Sequence, residues 1–270
     1  MDKTTRLEIT PVMSENLPPI ANIPTPNHIK EDDHWWFSSR TLVINTLMRQ
    51  ILPKIKGLYL LDIGCGAGNM IHHLSKYGKV KGIEIDPRPV KQARLRGYDV
   101  DQFDATKPLP FEDNTFDVVT AFDVIEHVDA DMAALQEAWR VLKPGGHVVI
   151  TVPAFMFLWS NNDVINDHKR RYTAKELKDK LLQTGFTVNR ISYNNFFVFP
   201  LAAPLIMLRR GHEPELASHH LQEEEYQVEM EPASPMVNSV LTGVGKVEAA
   251  LIKYINLPWG TSLIAIAKKQ

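Results

Sequence analysis

The sequence predicts an α/β protein built on a largely parallel sheet with helices on both faces. Three observations carry this. Apolar runs of strand length alternate with helix-length segments along most of the chain, the signature of repeated βα units. The first run, Leu58–Ile63, is apolar at every position but Asp62, as a strand covered on both faces requires. It passes straight into Gly64-Cys65-Gly66-Ala67-Gly68, a turn whose glycines let the backbone bend sharply and approach a ligand.

The elements follow in order. Residues 1–30 hold Pro11, Pro18, Pro19, Pro24 and Pro26 and read as an extended arm. Residues 31–56 carry a helix through Trp35, Trp36 and Arg40 to Ile51, and Pro53 ends it. Strand one is 58–63, and 67–77 reads as a helix. Strand two is 80–85, with Pro87 opening the next helix. Residues 98–103 and 116–122 are strands three and four. A helix over 131–142 stops at Lys143-Pro144-Gly145-Gly146, a breaker. Strand five is 147–152. Thr173 and Glu176 form a capping-box pattern for a helix ending at Gly185. Strands six and seven are 186–193 and 261–268. The expected domain plan is therefore a core over 57–195, an insertion or substrate cap over 196–258 with a helix at 237–254, and a final core strand in 259–270.

Composition narrows the function. The chain has 270 residues and a net charge of −2, so no basic field points to nucleic acid. The lone cysteine, Cys65, rules out an internal disulfide framework and fits a reducing, cytoplasmic setting. The start of the chain shows no apolar signal segment. The greasiest run, 196–208, falls short of the ~20 residues of a spanning helix. It reads either as a buried, substrate-lining segment or as a surface that touches a membrane or a lipid carrier.

The glycine turn leaves the nucleotide open until its spacing is read. A dinucleotide fingerprint places its third glycine at residue 69, but residue 69 is Asn69 and the glycine is Gly68. That argues against a bound pyrophosphate. Glu84 ends the second strand, where a carboxylate can accept from both hydroxyls of a ribose. Later stretches add to the pattern: Asp104-Ala105; Leu109-Pro110-Phe111 through Asp113-Asn114 to Phe116-Asp117-Val118-Val119; Ile125-Glu126-His127-Val128; and Leu142-Lys143-Pro144-Gly145-Gly146.

These motifs, in this order over residues 57–193, resemble class I S-adenosylmethionine (SAM)-dependent methyltransferases. The resemblance implies a Rossmann-like, doubly wound seven-stranded sheet in order 3-2-1-4-5-7-6, with strand seven antiparallel. It implies SAM as cofactor and S-adenosylhomocysteine as product. It also implies roles: Asp62 and Gly64 orient the methionine amino end, and Gly66 and Gly68 give backbone access. Glu84 holds the ribose, Asp104 and Ala105 the adenine, and Phe122 lies beside the sulfonium.

Outside the core, His34-Trp35-Trp36-Phe37-x-x-Arg40, Leu158-Trp159-Ser160 and His168-Lys169-Arg170-Arg171-Tyr172 resemble a bacterial subgroup associated with glycan, lipid or secondary-metabolite pathways. Trp36 could close a lid, and Arg40 could fork onto the methionine carboxylate. An oxygen acceptor needs a base, and His127 and His168 are the candidates, with Asp163 or Asp167 orienting His168. Trp36, Trp159, Arg171 and Tyr172 are the candidate acceptor-binding residues, and Arg170 and Arg171 could bind an acidic group. Asp123, Glu126 and His127 invite a metal reading, because some ubiquinone-pathway O-methyltransferases and RNA 2′-O-methyltransferases bind a metal near this place. The full ligand set is absent from the sequence, so no metal is expected. The expected function is methyl transfer to a small, hydrophobic acceptor, through oxygen before nitrogen or carbon. RNA or protein methylation and non-catalytic SAM binding are the alternatives.

Overall fold

The computed structural model describes residues 23–52, 57–209 and 233–270. Seven strands form one sheet in the order β3-β2-β1-β4-β5-β7-β6. They are β1 (Leu58–Ile63), β2 (Gly78–Glu84), β3 (Val100–Gln102), β4 (Phe116–Phe122), β5 (Leu142–Pro153), β6 (Phe186–Asn194) and β7 (Ser262–Lys269). The first five pair in parallel, and β7 runs antiparallel between β5 and β6. The expected fold and strand order hold.

Eight helices accompany the sheet among the described residues: α1 (Trp35–Ile51), α2 (Asn69–Leu74), α3 (Pro87–Leu95), α4 (Asp131–Val141), α5 (Asn161–Ile165), α6 (Ala174–Thr184), α7 (Phe199–Arg209) and α8 (Pro235–Leu251). Local chemistry sets their ends. The Asp86 side chain accepts the Arg88 N–H at 2.8 Å ahead of Pro87. Thr173 and Glu176 form the capping box of α6, and Gly185 ends that helix with φ +100°. One core cluster lies on each face of the sheet. Leu60, Leu74 and Val118 belong to the face carrying α1 and α2, and Leu61, Leu135 and Leu177 to the face carrying α4 and α6.

Three expectations change. The helix before Lys143-Pro144-Gly145-Gly146 stops at Val141 as expected, but the four residues lie inside β5, which begins at Leu142 rather than at 147. Gly145 takes φ +82° there, and the register with β4 shifts between Phe116 and Val118. It is a bulge, which is how a strand accommodates Pro and Gly. The helix expected at 67–77 shortens to α2, because Gly68 takes φ +85° at its N-cap and β2 already begins at Gly78. The run 196–208 is not a buried segment: in α7, Ala203 is buried but Leu201 and Leu208 are each 71% exposed. No helix among the described residues is long and apolar enough to cross a membrane. Pro11, Pro18, Pro19, Pro53 and the acidic run at 223–225 lie outside the described residues.

The helices α1 and α8 clasp each other at the edge of the site. Trp35 N–H donates to Asn238 Oδ1 at 2.8 Å, and Asn238 Nδ2 donates to Asp33 O at 2.8 Å. Gly245 faces Ser39 so closely that a Cβ added there would fall 2.6 Å from the Ser39 Cβ. Gly245→Ala should therefore push the helices apart and destabilise the protein by about 1–3 kcal/mol. Urea titration measures this; a wild-type midpoint would show that the crossing is not tight.

Candidate active site

A parallel sheet binds ligands outside the carboxyl ends of its strands, where the strand order reverses. Here that point lies between β1 and β4. A cleft of about 530 Å³, counting its open mouth, opens there. Of the residues expected at the cofactor, Arg40, Asp62, Gly64, Gly66 and Phe122 line it. Gly64 takes φ +65°, and a Cβ there would fall 2.5 Å from Val124 Cγ2, so no other residue fits without displacing the β4 loop.

Glu84 ends β2 beside this loop and holds it. Gly66 N–H donates to Oε2 at 3.0 Å, and Ile85 N–H donates to Oε1 at 2.7 Å. Asp104 follows β3 and accepts from Thr106 N and Oγ1 at 3.0 and 2.6 Å. Hydrogen bonding from Thr106 holds its carboxyl below the usual range. Gly68, Glu84, Asp104 and Ala105 are not in its wall, and Ala105 lines a separate cavity with Ile63, Leu109 and Ala121.

Asp62 is fully buried. Burial pushes its pKa up to about 7, against the Thr120 hydroxyl, which donates to Oδ1 at 2.6 Å, and against the positive charge of Arg40. Arg40 stacks 4.9 Å above Trp36 and pairs with Asp123. Trp36 thus supports Arg40 from below. Its ring meets Phe37 edge-on at 4.9 Å.

The two candidate bases meet. The rings of His127 and His168 lie 4.7 Å apart, nearly perpendicular. His168 Nδ1 is 2.8 Å from Asp163 Oδ1, so in the neutral ring Nδ1 holds the proton and Nε2 is left as the acceptor. His127 is exposed on one flank. Crowding of its ring by protein, then the neighbouring His168, lowers its pKa, which leaves it neutral near pH 7. The orienting acid is Asp163, not Asp167, which is exposed and pairs with Lys169 at 2.6 Å.

Two acceptor-binding expectations are corrected. Arg171 does not face a substrate: its Nε and Nη2 donate to the two oxygens of buried Asp163 at 2.8 and 2.9 Å, and Nη1 donates to Ala154 O at 3.2 Å. Tyr172 is 2% exposed, and its hydroxyl donates to Asp131 at 2.9 Å. Arg170 is likewise spent on Asp131 at 3.0 Å. Trp159 is half-buried after a short helical turn at Met156–Leu158.

Glu126 joins the histidines: the sequence set it beside Asp123 and His127, but not beside His168. It is 0% exposed, and neither carboxylate oxygen has a hydrogen-bond partner. Burial holds its pKa well above the usual carboxylate range. One donor atom each from Glu126, His127 and His168 lie within 4.8 Å of one another. In this group His168, from the loop after β5, stands where the sequence had offered Asp123, which pairs with Arg40 instead.

Comparison with known proteins agrees with this geometry. The family described as "Methyltransferase domain" matches residues 61–150. The ubiquinone biosynthesis O-methyltransferase of Aliivibrio fischeri (strain MJ11) is 33% identical over 166 residues, covering 53% of this chain and 71% of that protein. The enzyme of the same name from Vibrio cholerae O395 is 30% identical over 142 residues, 46% of this chain and 58% of the relative's length. A SAM-dependent methyltransferase of Archaeoglobus fulgidus shares the fold with a TM-score of 0.52 at 21% identity, covering 85% of this chain and 94% of that one. So does the [4+2]-cyclase SpnF, with a TM-score of 0.55 at 21% identity, covering 93% and 90%. The chain belongs to the SAM-dependent methyltransferases, and SAM is the cofactor of this class. The cleft suits it: a cation and carboxylates face each other across glycines that keep the space open.

The high pKa of Asp62 has a consequence for stability. The native state holds this proton up to about pH 7, and the unfolded chain releases it near 3.8. Stability of the ligand-free protein should fall as pH rises through that window, by up to about 4 kcal/mol. Asp62→Asn should flatten the profile in urea titrations from pH 4 to 8. An unchanged slope would mean that Asp62 is ionised in the native state.

Proposed function

We propose that this protein transfers the methyl group of SAM to an oxygen of a hydrophobic small molecule, with His168 as general base. The observation that carries the proposal is the pairing of His127 and His168, from the loops that follow β4 and β5, with His168 oriented by a fully buried carboxylate. The bound cofactor supplies a methyl group already activated on a sulfonium. The protein then has to place the acceptor oxygen in line and take its proton, so positioning supplies much of the rate. In this reading Asp62, Gly64, Gly66 and Gly68 hold the amino-acid end, Glu84 the ribose, Asp104 and Ala105 the adenine. Phe122 flanks the sulfonium. Arg40 exchanges Asp123 for the cofactor carboxylate, a partner that a guanidinium forks onto well. The acceptor hydroxyl gives its proton to Nε2 of His168, and Asp163 stabilises the ring that becomes charged.

The acceptor's apolar character is supported by its approach. Met156, Phe157, Leu201, Leu205 and Trp259 expose apolar surface beyond the carboxyl ends of β5 and β6. Phe155 ties this rim together, stacking on Phe157 at 5.1 Å and on Tyr193 at 4.9 Å. The names of the Vibrio and Aliivibrio relatives support an oxygen acceptor on a lipid-linked ring. The lone cysteine supports a cytoplasmic setting, with the rim against a lipid carrier or membrane face.

His168→Ala should lower transfer from labelled SAM to a hydroxylated aromatic lipid by about 10²-fold or more. His127→Ala should lower it less, and the affinity for S-adenosylhomocysteine should stay within about threefold in both. Unchanged turnover in the two variants would remove the base.

A second reading is favoured by the orphaned carboxylate. Glu126, His127 and Nε2 of His168 form a set of donors suited to a divalent cation, and the Asp163–His168 bond is the usual outer support of a ligating histidine. A cation there would lower the pKa of the acceptor hydroxyl directly. Dialysis against a chelator, with metal content measured, separates the two. Full turnover without metal removes this reading; loss restored by one divalent ion removes the free base.

A further inference from the structure

The cofactor cleft has a wall outside the sheet. The 3-10 turn Lys30–Asp33 places Glu31 in it, with a side chain only 9% exposed. Glu31 Oε1 is held by Arg96 Nη2 at 2.9 Å, and Arg96 Nη1 donates to Ala67 O in the glycine turn at 3.1 Å. The carboxylate is thus fixed against the turn. Its other oxygen, Oε2, is buried and has no partner. Asn69 opens α2 and lines the same cleft, and both its amide nitrogen and its amide oxygen are buried and unpartnered. Arg40, also in the wall, has an unpartnered Nε. Groups buried in this way are stable when something bonds to them. A cleft that offers a guanidinium together with a fixed, half-used carboxylate is complementary to a zwitterion.

The geometry points to Glu31, with Asn69 beside it, as the recognition element for the α-ammonium of the cofactor's amino-acid end. This rests on the SAM reading and extends it to a residue outside the sheet and its loops. The neighbouring segment supports the assignment. Asp32 pairs with His73 at 2.8 Å, Ile29 is buried, and Gly97 lies against Ile23 O. The strap is therefore fastened to the core on both sides of Glu31. Gln at this position keeps an oxygen for Arg96 and loses the negative charge.

The test is a binding cycle followed by calorimetry on the full chain. The ligands are S-adenosylhomocysteine and its analogue lacking the amino group. Glu31→Gln should weaken S-adenosylhomocysteine about tenfold or more, as loss of a charged hydrogen bond does, and leave the analogue within about twofold. Asn69→Ala should show the same selectivity more weakly. An equal loss for both ligands would make Glu31 a structural prop and overturn the proposal, as would no loss for either. Weakening of SAM alone would move the carboxylate's partner to the sulfonium and overturn it too. Failure of the wild-type protein to bind S-adenosylhomocysteine would instead overturn the SAM reading itself. Melting temperatures of the variants, expected within a few degrees of wild type, show that the fold is retained.

Discussion

The site depends on one topological constraint. Strands β1 and β4 are hydrogen-bonded neighbours, yet the segments that leave them pack on opposite faces of the sheet. The chain must part at their carboxyl ends, and the parting is the cleft. Gly64 is required because Val124 of the departing β4 loop already fills the place of a side chain. The same end of the sheet collects strained backbone. Asp123, Phe155 and Asn195 follow β4, β5 and β6 with φ of 56°, 59° and 63°. Non-glycine residues rarely accept such values, and they persist where surrounding structure over-determines them. Each turns the chain out of the sheet at the rim, and each is fixed from elsewhere. Asp123 pairs with Arg40, Phe155 stacks on Tyr193, and Asn195 N–H donates to Glu248.

The core was readable because its signals are local. An apolar run such as Leu58–Ile63 has one use in an alternating α/β chain, and the box Thr173–Glu176 states where a helix starts. What could not be read is which partner a polar side chain finds across the fold. Arg171 and Tyr172 sit in a polar stretch that looks solvent-facing. Their partners are buried: Asp163 lies eight residues before Arg171, across a turn of the loop, and Asp131 lies 41 residues before Tyr172. The run in α7 failed in the opposite sense: apolar composition predicts burial, but nothing among the described residues covers Leu201 and Leu208. Glu31 carries no signal at all, being one acid of three in Glu31-Asp32-Asp33. Glu126 had a weak one, an acid between Ile125 and His127 in an otherwise apolar stretch.

Three buried carboxylates show how differently the fold treats the same group. Asp163 would be pushed up by burial, but His168 and Arg171 hold it far below the usual range. With the Ser160 N–H at 2.8 Å as well, its oxygens are satisfied, and it can act as a fixed negative anchor. Asp62 has one hydroxyl and a more distant guanidinium, and it titrates near neutrality. Glu126 has no partner on either oxygen, and the Arg40 charge offsets its burial only in part. An ionised carboxylate in that position would cost several kcal/mol unless compensated. It is therefore either protonated or neutralised by whatever binds beside the histidines. The contrast separates support from function: the carboxylate with every bond filled belongs to the frame, while of those with bonds to spare Asp62 lines the cleft and Glu126 meets the two histidines.

The cap follows the same logic. Arg40 and Phe37 line the cleft from α1, and α1 is clasped to α8 through Asn238 and through the close approach of Ser39 and Gly245. On the same helix, Glu248 accepts the N–H groups of Asn195 and Phe197 and so fixes the segment that leads from β6 into α7. One helix pair thus spans from the cleft wall at Arg40 to the apolar rim beyond β5 and β6. Because α1 cannot swing away without breaking those bonds or carrying α8 along, it is not a free flap. A change in Arg40's partner at one end therefore bears on the acceptor rim at the other through packed helices, with no separate hinge required.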